Sequence, residues 1–444
     1  MQKKTVNKII CVIVALVLAA LAFTAGYFTR KLTRPQSASS FEWALETIEK
    51  NYYFGGVEDT FGQTSVSALV DTYLDRYSQY YTAEEYKSVI QNNAGSKSGI
   101  GISYSFVEGK GVYISSVVGN SPAYMCGLRE GEVLKSGNIT GKKQVEFTSA
   151  ESFSNLIKGA ADGEKIELKA IDGSPYVVAK AEYTASYTYM CTNSTAWEFG
   201  DAESGGLALY ENTDKKMSFL PDGAAYFRLT QFYGTAAKEF YRLAEKFNAL
   251  NCTSLILDLR SNGGGYVSVM QEIAGCFAGG ARKPAMFSRD KHGNEEVYYC
   301  TKVTRSQNLI SSDVKVYVLA NGGTASASEA LMGAMLCYGA LSYENIYLSQ
   351  YSEQYLNWLK GTGQEQKNAR TYGKGIMQST FENNSTGEAL KLTTAKIFWP
   401  DGKSSIHDRG ITLADGCAAS PAEWEHTKAD EELKWVVEKI KSKN

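Results

Sequence analysis

Histidine is scarce: His292, His407 and His426 are the only three in 444 residues, and they are widely separated. A zinc centre built on clustered histidines is therefore not expected. Charge of one sign is also lacking. With 46 Lys+Arg against 48 Asp+Glu, the net charge is -2, so the basic excess of a nucleic-acid binder is missing. The eight cysteines include no Cys-x-x-Cys pair. Cys11 lies in an apolar run, and most of the other seven are expected as buried small hydrophobes. One or two disulfides stay open, with a pairing that cannot be read. No repeat of 20–50 residues is visible. What is present is a globular mixture, 43% hydrophobic and 21% charged, long enough for about three domains. The 29 tyrosines suit a β-rich extracytoplasmic protein.

Ile9 to Phe28 is an uncharged stretch, preceded by Lys3, Lys4 and Lys8 and followed by Arg30, Lys31 and Arg34. As a helix it would span about 30 Å, the thickness of a bilayer core. That exceeds the apolar core of a signal peptide, about 7–15 residues, although Ala20-Leu21-Ala22 offers a weak cleavage site. The expectation is a cytoplasmic tail and one uncleaved transmembrane anchor over 1–31, with the remainder exported and held at the cell membrane. The flanking charges do not decide its orientation. A polar linker, 32–40, follows. From 41 to 95, Phe41, Leu45, Ile48 and Tyr52, then Val66, Leu69, Val70 and Leu74, recur at helical spacing and predict a small helical region broken at Gly55-Gly56. From 96 to 184 the texture turns to short strands and glycine turns, with a short helix at Phe153, Leu156 and Ile157. Residues 185–223 read as a connector. Over 224–426 strands (Ala225–Leu229, Leu255–Leu257, Val316–Leu319) alternate with helices, which implies βα layering. A last amphipathic helix, within 427–444, carries Leu433, Val436, Val437 and Ile440 on one side. The fold class is α/β and multidomain.

Two segments bear chemistry. Asn321-Gly322-Gly323-Thr324-Ala325-Ser326-Ala327-Ser328-Glu329 follows a buried strand and leads into a small-residue helix. A serine there stands at the positive end of a helix, where free N–H groups receive developing negative charge. That is the logic of a nucleophile elbow without its usual spelling. The alternative is that Ser326 or Ser328 is only an N-cap. Asp258-Leu259-Arg260-Ser261-Asn262-Gly263-Gly264-Gly265 has the same shape. Its glycines allow close backbone approach and oxyanion donors, or form an ordinary tight turn. As a nucleotide loop it lacks both GxGxxG and a GK[ST] ending. A nucleophilic serine needs a base, and none of the three histidines is well placed for it. Lys374, between Gly373 and Gly375, is the other candidate. A free lysine has a pKa near 10.4, so about one in 2,500 is neutral at pH 7. Burial lowers that by up to roughly 3–5 units, and a drop of 3 is about 4 kcal/mol. A lysine base is physically allowed in a closed pocket.

Taken together, the segments resemble the C-terminal processing peptidases, or tail-specific proteases. Ser98-Gly99-Ile100-Gly101-Ile102, Asn120-Ser121-Pro122-Ala123 and Gly127–Glu132 are similar to the PDZ domain of that family. Asp258–Gly265 resembles its glycine loop, Asn321–Glu329 its nucleophile segment and Thr371–Gln378 its lysine segment. Leu392–Lys396 with Pro400–Lys403 resembles the strand and turn after it. The likeness runs over roughly 41–440. It implies a PDZ domain over 96–184 and a ClpP/crotonase-like α/β serine peptidase domain over 224–426. It assigns Ser326 as nucleophile, Lys374 as general base and Gln378 as the residue orienting it. Ala327 with Gly264 or Gly265 would form the oxyanion hole, and Gly99, Ile100, Gly101 and Ile102 would receive a substrate tail at a sheet edge. The activity implied is cleavage near the C-termini of exported proteins, without metal or cofactor. Partners would be proteins or peptides with free C-termini and the membrane, not nucleic acid. The oligomeric state stays open, a homo-oligomer included. Departures are Thr324 for a serine, Glu132 for an aspartate, Cys337 for an aspartate, and an insertion-like stretch from Tyr343 to Ala369. The rival readings are a catalytically dead PDZ scaffold and a serine hydrolase of small esters.

Overall fold

The computed structural model describes residues 36–55, 65–94, 96–203, 205–279, 282–301, 309–359, 368–422 and 430–443. The expected anchor, Ile9 to Phe28, lies outside these residues. Among the described residues no helix is long and apolar enough to cross a membrane. The chain divides into two compact units, one of residues 1–86 with 378–394, the other of 87–377 with 395–444.

In the first unit, helices Gln36–Asn51 and Val66–Tyr73 bury Ala44, Ile48, Tyr52, Val66, Leu69 and Val70 against Leu390 and Leu392. The i, i+4 spacing of Ala44, Ile48 and Tyr52 builds that apolar stripe. Ser65 caps the second helix by accepting from Ala68 N–H. Two expectations are corrected. The first helix begins at Gln36, inside the stretch read as linker. Gln79–Tyr81 is a strand rather than helix, pairing antiparallel with Ala389–Lys391. Its paired tyrosines favour a pleated surface.

The second unit holds an eight-stranded sheet. In spatial order its strands are Leu207–Asn212, Ala196–Asp201, Thr188–Cys191, Ala224–Leu229, Ser254–Asp258, Lys315–Ala320, Ile346–Tyr351 and Ala418–Ala422. The last five are parallel; the first three add antiparallel. The parallel strands are buried on both faces, as such sheets require. Ala225, Phe227, Leu255, Leu257, Val316 and Val318 face helices Ala236–Ala249, Val267–Phe277 and Ala327–Cys337. Tyr226, Ile256, Tyr317 and Tyr347 face the helix Glu431–Lys443 through Leu433, Val436, Val437 and Ile440. The stretch read as a connector is thus three strands of the main sheet and its return. The insertion-like stretch is corrected too. Ile346–Tyr351 is an interior strand whose first four residues are all buried, and its Tyr, Ser and Gln content disguised it.

Residues 102–179 of the same unit form a separate antiparallel sheet, in the order Ile102–Val107, Gly111–Val117, Val133–Ile139, Lys165–Ala170, Pro175–Ala179. The helix Ala150–Gly159, with a Ser149/Ser152 capping box, buries Phe153 and Leu156 into its core. Lys165–Ala170 alternates exposed and buried without a break. Among the described strands, Ile102–Val107 pairs on one side only, so it is an edge. The seven cysteines in the described residues form no disulfide. Cys191, Cys276 and Cys300 are buried, Cys126, Cys252 and Cys417 half-buried, and Cys337 exposed.

Candidate active site

Two adjacent parallel strands end together, Asp258 opposite Leu319. Loops at the carboxyl ends of such strands are where ligands meet an open α/β sheet. Each of these two loops opens with asparagine and two glycines. Asn262 Oδ1 accepts from Gly264 N–H at 3.0 Å, and Asn321 Oδ1 accepts from Gly323 N–H at 3.0 Å. Asparagine makes such turns by bonding main chain two residues on. The loops are then laced to one another. Asn321 Oδ1 also accepts from Ser261 N–H at 2.8 Å, Asn262 O accepts from Ala325 N–H at 3.0 Å, and Thr324 Oγ1 donates to Leu259 O at 2.8 Å. The buried Ser328 hydroxyl donates to Asn262 O at 2.9 Å, so Ser328 is a fastener between loops.

Ser326 has φ 58° and ψ −115°, a left-handed conformation costly for a residue with a Cβ, about 1–3 kcal/mol. It is the N-cap residue of the helix Ala327–Cys337, with Glu329 three residues on completing a capping box. Ser328 is not a cap, its hydroxyl being bound to Asn262 O. Ser326 is half-buried. Gly264, at φ 99°, presses against this turn. A Cβ there would lie 2.9 Å from both Ala327 N and Ser326 Cβ. The two candidate glycines differ. Gly264 N–H is already taken by Asn262, while the N–H groups of Gly265 and Ala327 join no described residue. Gly265 itself bridges in parallel to Phe232, with Tyr266 N–H donating to Phe232 O at 2.8 Å.

Glu329 connects the serine to the lysine segment. Its fully buried carboxylate accepts from Ser326 N–H at 3.0 Å and Lys374 N–H at 2.9 Å through the same oxygen, Oε2. Its Oε1 accepts from Thr371 Oγ1 at 2.5 Å and Gly373 N–H at 2.8 Å. One carboxylate oxygen thus fixes the main chain of Ser326 beside that of Lys374, 45 residues apart for Glu329 and Lys374. Burial pushes the Glu329 carboxyl up, and the four donors pull it back. The glycines flanking Lys374 are steric necessities. A Cβ on Gly373 would lie 2.8 Å from Gly410 N, and one on Gly375 would lie 2.6 Å from His407 N. Lys374 is half-buried. Gln378 belongs to the first unit, where its amide donates to Thr393 Oγ1 at 3.1 Å.

The sequence singled out Ser326, Ala327, Lys374 and the glycines, and the structure gathers their main chain in one place. It missed Asn262, Asn321, Glu329 and Thr371. Two signals were available. Asn-Gly-Gly occurs at the start of both loops, and Ser326-x-x-Glu329 has capping-box spacing.

The glycine loop is also anchored at its base. The buried Asp258 carboxylate accepts from Arg228 at 2.9 Å, from Arg260 and from the Tyr226 hydroxyl at 2.7 Å. Arg260 continues to Asp430 and Glu432 at the final helix. Burial alone would raise the Asp258 pKa, but Arg228 and Arg260 hold it well below the usual carboxylate range. On the other sheet, Ile100 O accepts from Ala123 N–H and Gly101 O from Val118 N–H, both at 2.9 Å. Gly101 has no room for a side chain, since a Cβ would lie 2.1 Å from Ser121 Cβ and 2.7 Å from the Tyr183 hydroxyl. Gly99, at φ 132°, has open space around it, and Ile102 begins the edge strand.

Residues 223–340 match Peptidase family S41. The chain is 26% identical over 386 residues to a probable CtpA-like serine protease of Staphylococcus haemolyticus, covering 87% of this chain and 66% of that protein. It is 25% identical over 368 residues to the carboxy-terminal processing protease CtpA of Bacillus subtilis, covering 83% of this chain and 66% of that protein. The chain therefore spans just under two thirds of the length of both. Among solved structures, a photosystem II D1 C-terminal processing protease is similar with TM-score 0.51 and 20% identity, covering 85% of this chain and 92% of that one. A putative S41 protease from Bacteroides fragilis gives TM-score 0.53 and 14% identity over 90% of this chain and 97% of that one. These two likenesses establish the α/β peptidase fold. The chain is thus similar to peptidase family S41 over residues 223–340 and, over most of its length, to CtpA-like serine and carboxy-terminal processing proteases.

Proposed function

We propose that the chain is a membrane-anchored endopeptidase that cuts near the C-termini of exported proteins, with Ser326 as nucleophile and Lys374 as its base. The carrying observation is the Glu329 carboxylate, whose one oxygen accepts from both Ser326 N–H and Lys374 N–H. Nothing in the packing of an inert domain calls for a strained serine held beside a glycine-flanked lysine. In the reaction the neutral Lys374 amine takes the Ser326 proton as Oγ attacks the scissile carbonyl. The N–H groups of Gly265 and Ala327 receive the oxyanion, at the positive end of the helix Ala327–Cys337. The Lys374 ammonium returns its proton to the departing amine, and water hydrolyses the acyl-enzyme. Gln378, four residues on, is read as the group that orients Lys374.

The sheet over 102–179 is read as a PDZ domain. Its edge strand Ile102–Val107 offers main chain to an extended tail. Because the Ile100 and Gly101 carbonyls turn inward, the N–H groups of Gly101 and Ile102 in the same trans peptide units point the other way, where a carboxylate could be received. Lys97 supports this reading. It pairs in register with Tyr183, whose hydroxyl abuts Gly101, and burial pulls its pKa down. Among the described residues no carboxylate meets it. The test is Ser326→Ala in the producing cell, with C-termini of exported proteins compared by mass spectrometry, beside cleavage of synthetic peptides by purified chain. Ser326→Ala and Lys374→Met should each lower kcat/KM by about 10³-fold or more. Unchanged cleavage by either variant would refute the assignment.

A further inference from the structure

The parallel bridge between Phe232 and Gly265 has a side effect. It sets the next residue of each strand, Tyr233 and Tyr266, side by side, and their rings meet edge to face at 5.1 Å and 90°. Tyr266 follows directly on Gly265, so its Cα stands about 3.8 Å from that of the oxyanion donor. It is 44% exposed, a large aromatic surface left open at the rim of the site. Behind the pair stands Tyr187. It is 3% exposed, and its hydroxyl has no hydrogen-bond partner among the described residues. Its main chain is pinned, with N–H donating to the Glu239 carboxylate at 2.8 Å and its carbonyl accepting from Thr230 N–H at 2.9 Å. Thr230 is two residues before Phe232, so the sheet itself directs Tyr187 to the foot of the bridge. Burial pushes its phenol up in pKa, and Glu239 and the phenols of Tyr183, Tyr233 and Tyr266 add to the rise. A neutral phenol is a donor at every working pH. Tyr187 closes the floor beneath the pair.

We propose that Tyr266, backed by Tyr233, forms the wall of a subsite for a branched or aromatic apolar side chain beside the scissile bond. This rests on the peptidase reading of Ser326 and Gly265 above. The aromatic faces select the side chain by apolar contact.

The experiment uses the full chain and a set of decapeptides with free carboxyl termini, identical except for Gly, Ala, Leu or Phe at each position in turn. Cut sites are read by mass spectrometry and kcat/KM for each peptide by progress curves. Leu or Phe at one position flanking the cut should be favoured over Gly. Tyr266→Ala should lower that Leu-to-Gly ratio of kcat/KM by about tenfold or more, whereas Tyr266→Phe should keep it. The ratio does not depend on how much protein is folded, and Tyr233→Leu gives a second reading of the same wall. A ratio unmoved in Tyr266→Ala and Tyr233→Leu, with cleavage still requiring Ser326, overturns this subsite alone. No Ser326-dependent cleavage of any peptide overturns the peptidase reading and the subsite with it.

Discussion

Replacing Glu329 with glutamine changes one atom in a side chain that touches neither substrate nor solvent. In Glu329→Gln, one of the two oxygens becomes an NH2 group. If Oε1 keeps Thr371 and Gly373, the new donor faces the N–H groups of Ser326 and Lys374, now 3.0 and 2.9 Å away. If the amide is flipped, it faces Gly373 N–H and the Thr371 hydroxyl, and that hydroxyl alone can turn to accept. Each lost hydrogen bond to a charged group is worth about 1.5–3 kcal/mol, so two come to roughly 3–6 kcal/mol. Removing a buried charge whose pKa burial has raised offsets part of this. A net loss of about 2–3 kcal/mol is expected. The larger effect is on rate. Ser326 stays in its strained turn only while its N–H is held, and a displacement of about 1 Å in a reacting group can cost 10²-fold. Turnover of a tailed peptide should therefore show kcat reduced about 10²-fold with KM nearly constant, measured where thermal melting shows the variant folded. Wild-type kcat in folded Glu329→Gln would refute the claim that this carboxylate positions the pair.

Gly264→Ala should abolish activity, because its Cβ would enter at 2.9 Å from Ser326 Cβ and Ala327 N at φ 99°, whereas Gly263→Ala, with nothing within 4 Å, should cleave peptides normally; equal activities would refute the loop contact. Lys97→Met should weaken binding of a tail peptide with a free carboxylate about tenfold by fluorescence anisotropy, with no effect on the amidated peptide, and wild-type protein that binds both peptides equally would refute the carboxylate reading. Asp258 gives the pH dependence. Its folded pKa is depressed, so its contribution is present above the unfolded carboxylate value of about 3.9 and is lost as pH falls below it. Asp258→Asn should lower Tm strongly at pH 7, by the equivalent of about 3–5 kcal/mol for breaking a buried pair, and progressively less below about pH 4, as followed by circular dichroism; a Tm difference independent of pH would refute it.

The parts legible in the sequence are those whose signal is local. The strand Ser254–Asp258 and the helix Val267–Phe277 announce themselves by apolar content and flanking glycine. Ile346–Tyr351 does not, because a strand buried on both faces can carry Tyr, Ser and Gln when partners such as Glu432 take the Ser349 hydroxyl, 83 residues away. The candidate site divides the same way. Ser326, Lys374 and the glycines were visible as residue types in context. Which of Gly264 and Gly265 keeps its N–H free was not, because that turns on which N–H the Asn262 side chain consumes. Glu329 is the sharpest case. Its spacing from Ser326 spells a capping box, a local device, and that box is built, with the carboxylate accepting from Ser326 N–H. The other three bonds reach Thr371, Gly373 and Lys374, 42 to 45 residues on. A helix start that needed only a cap would stop there. Here the same carboxylate also takes the main chain of Gly373 and Lys374, which ties the start of the helix to the lysine segment.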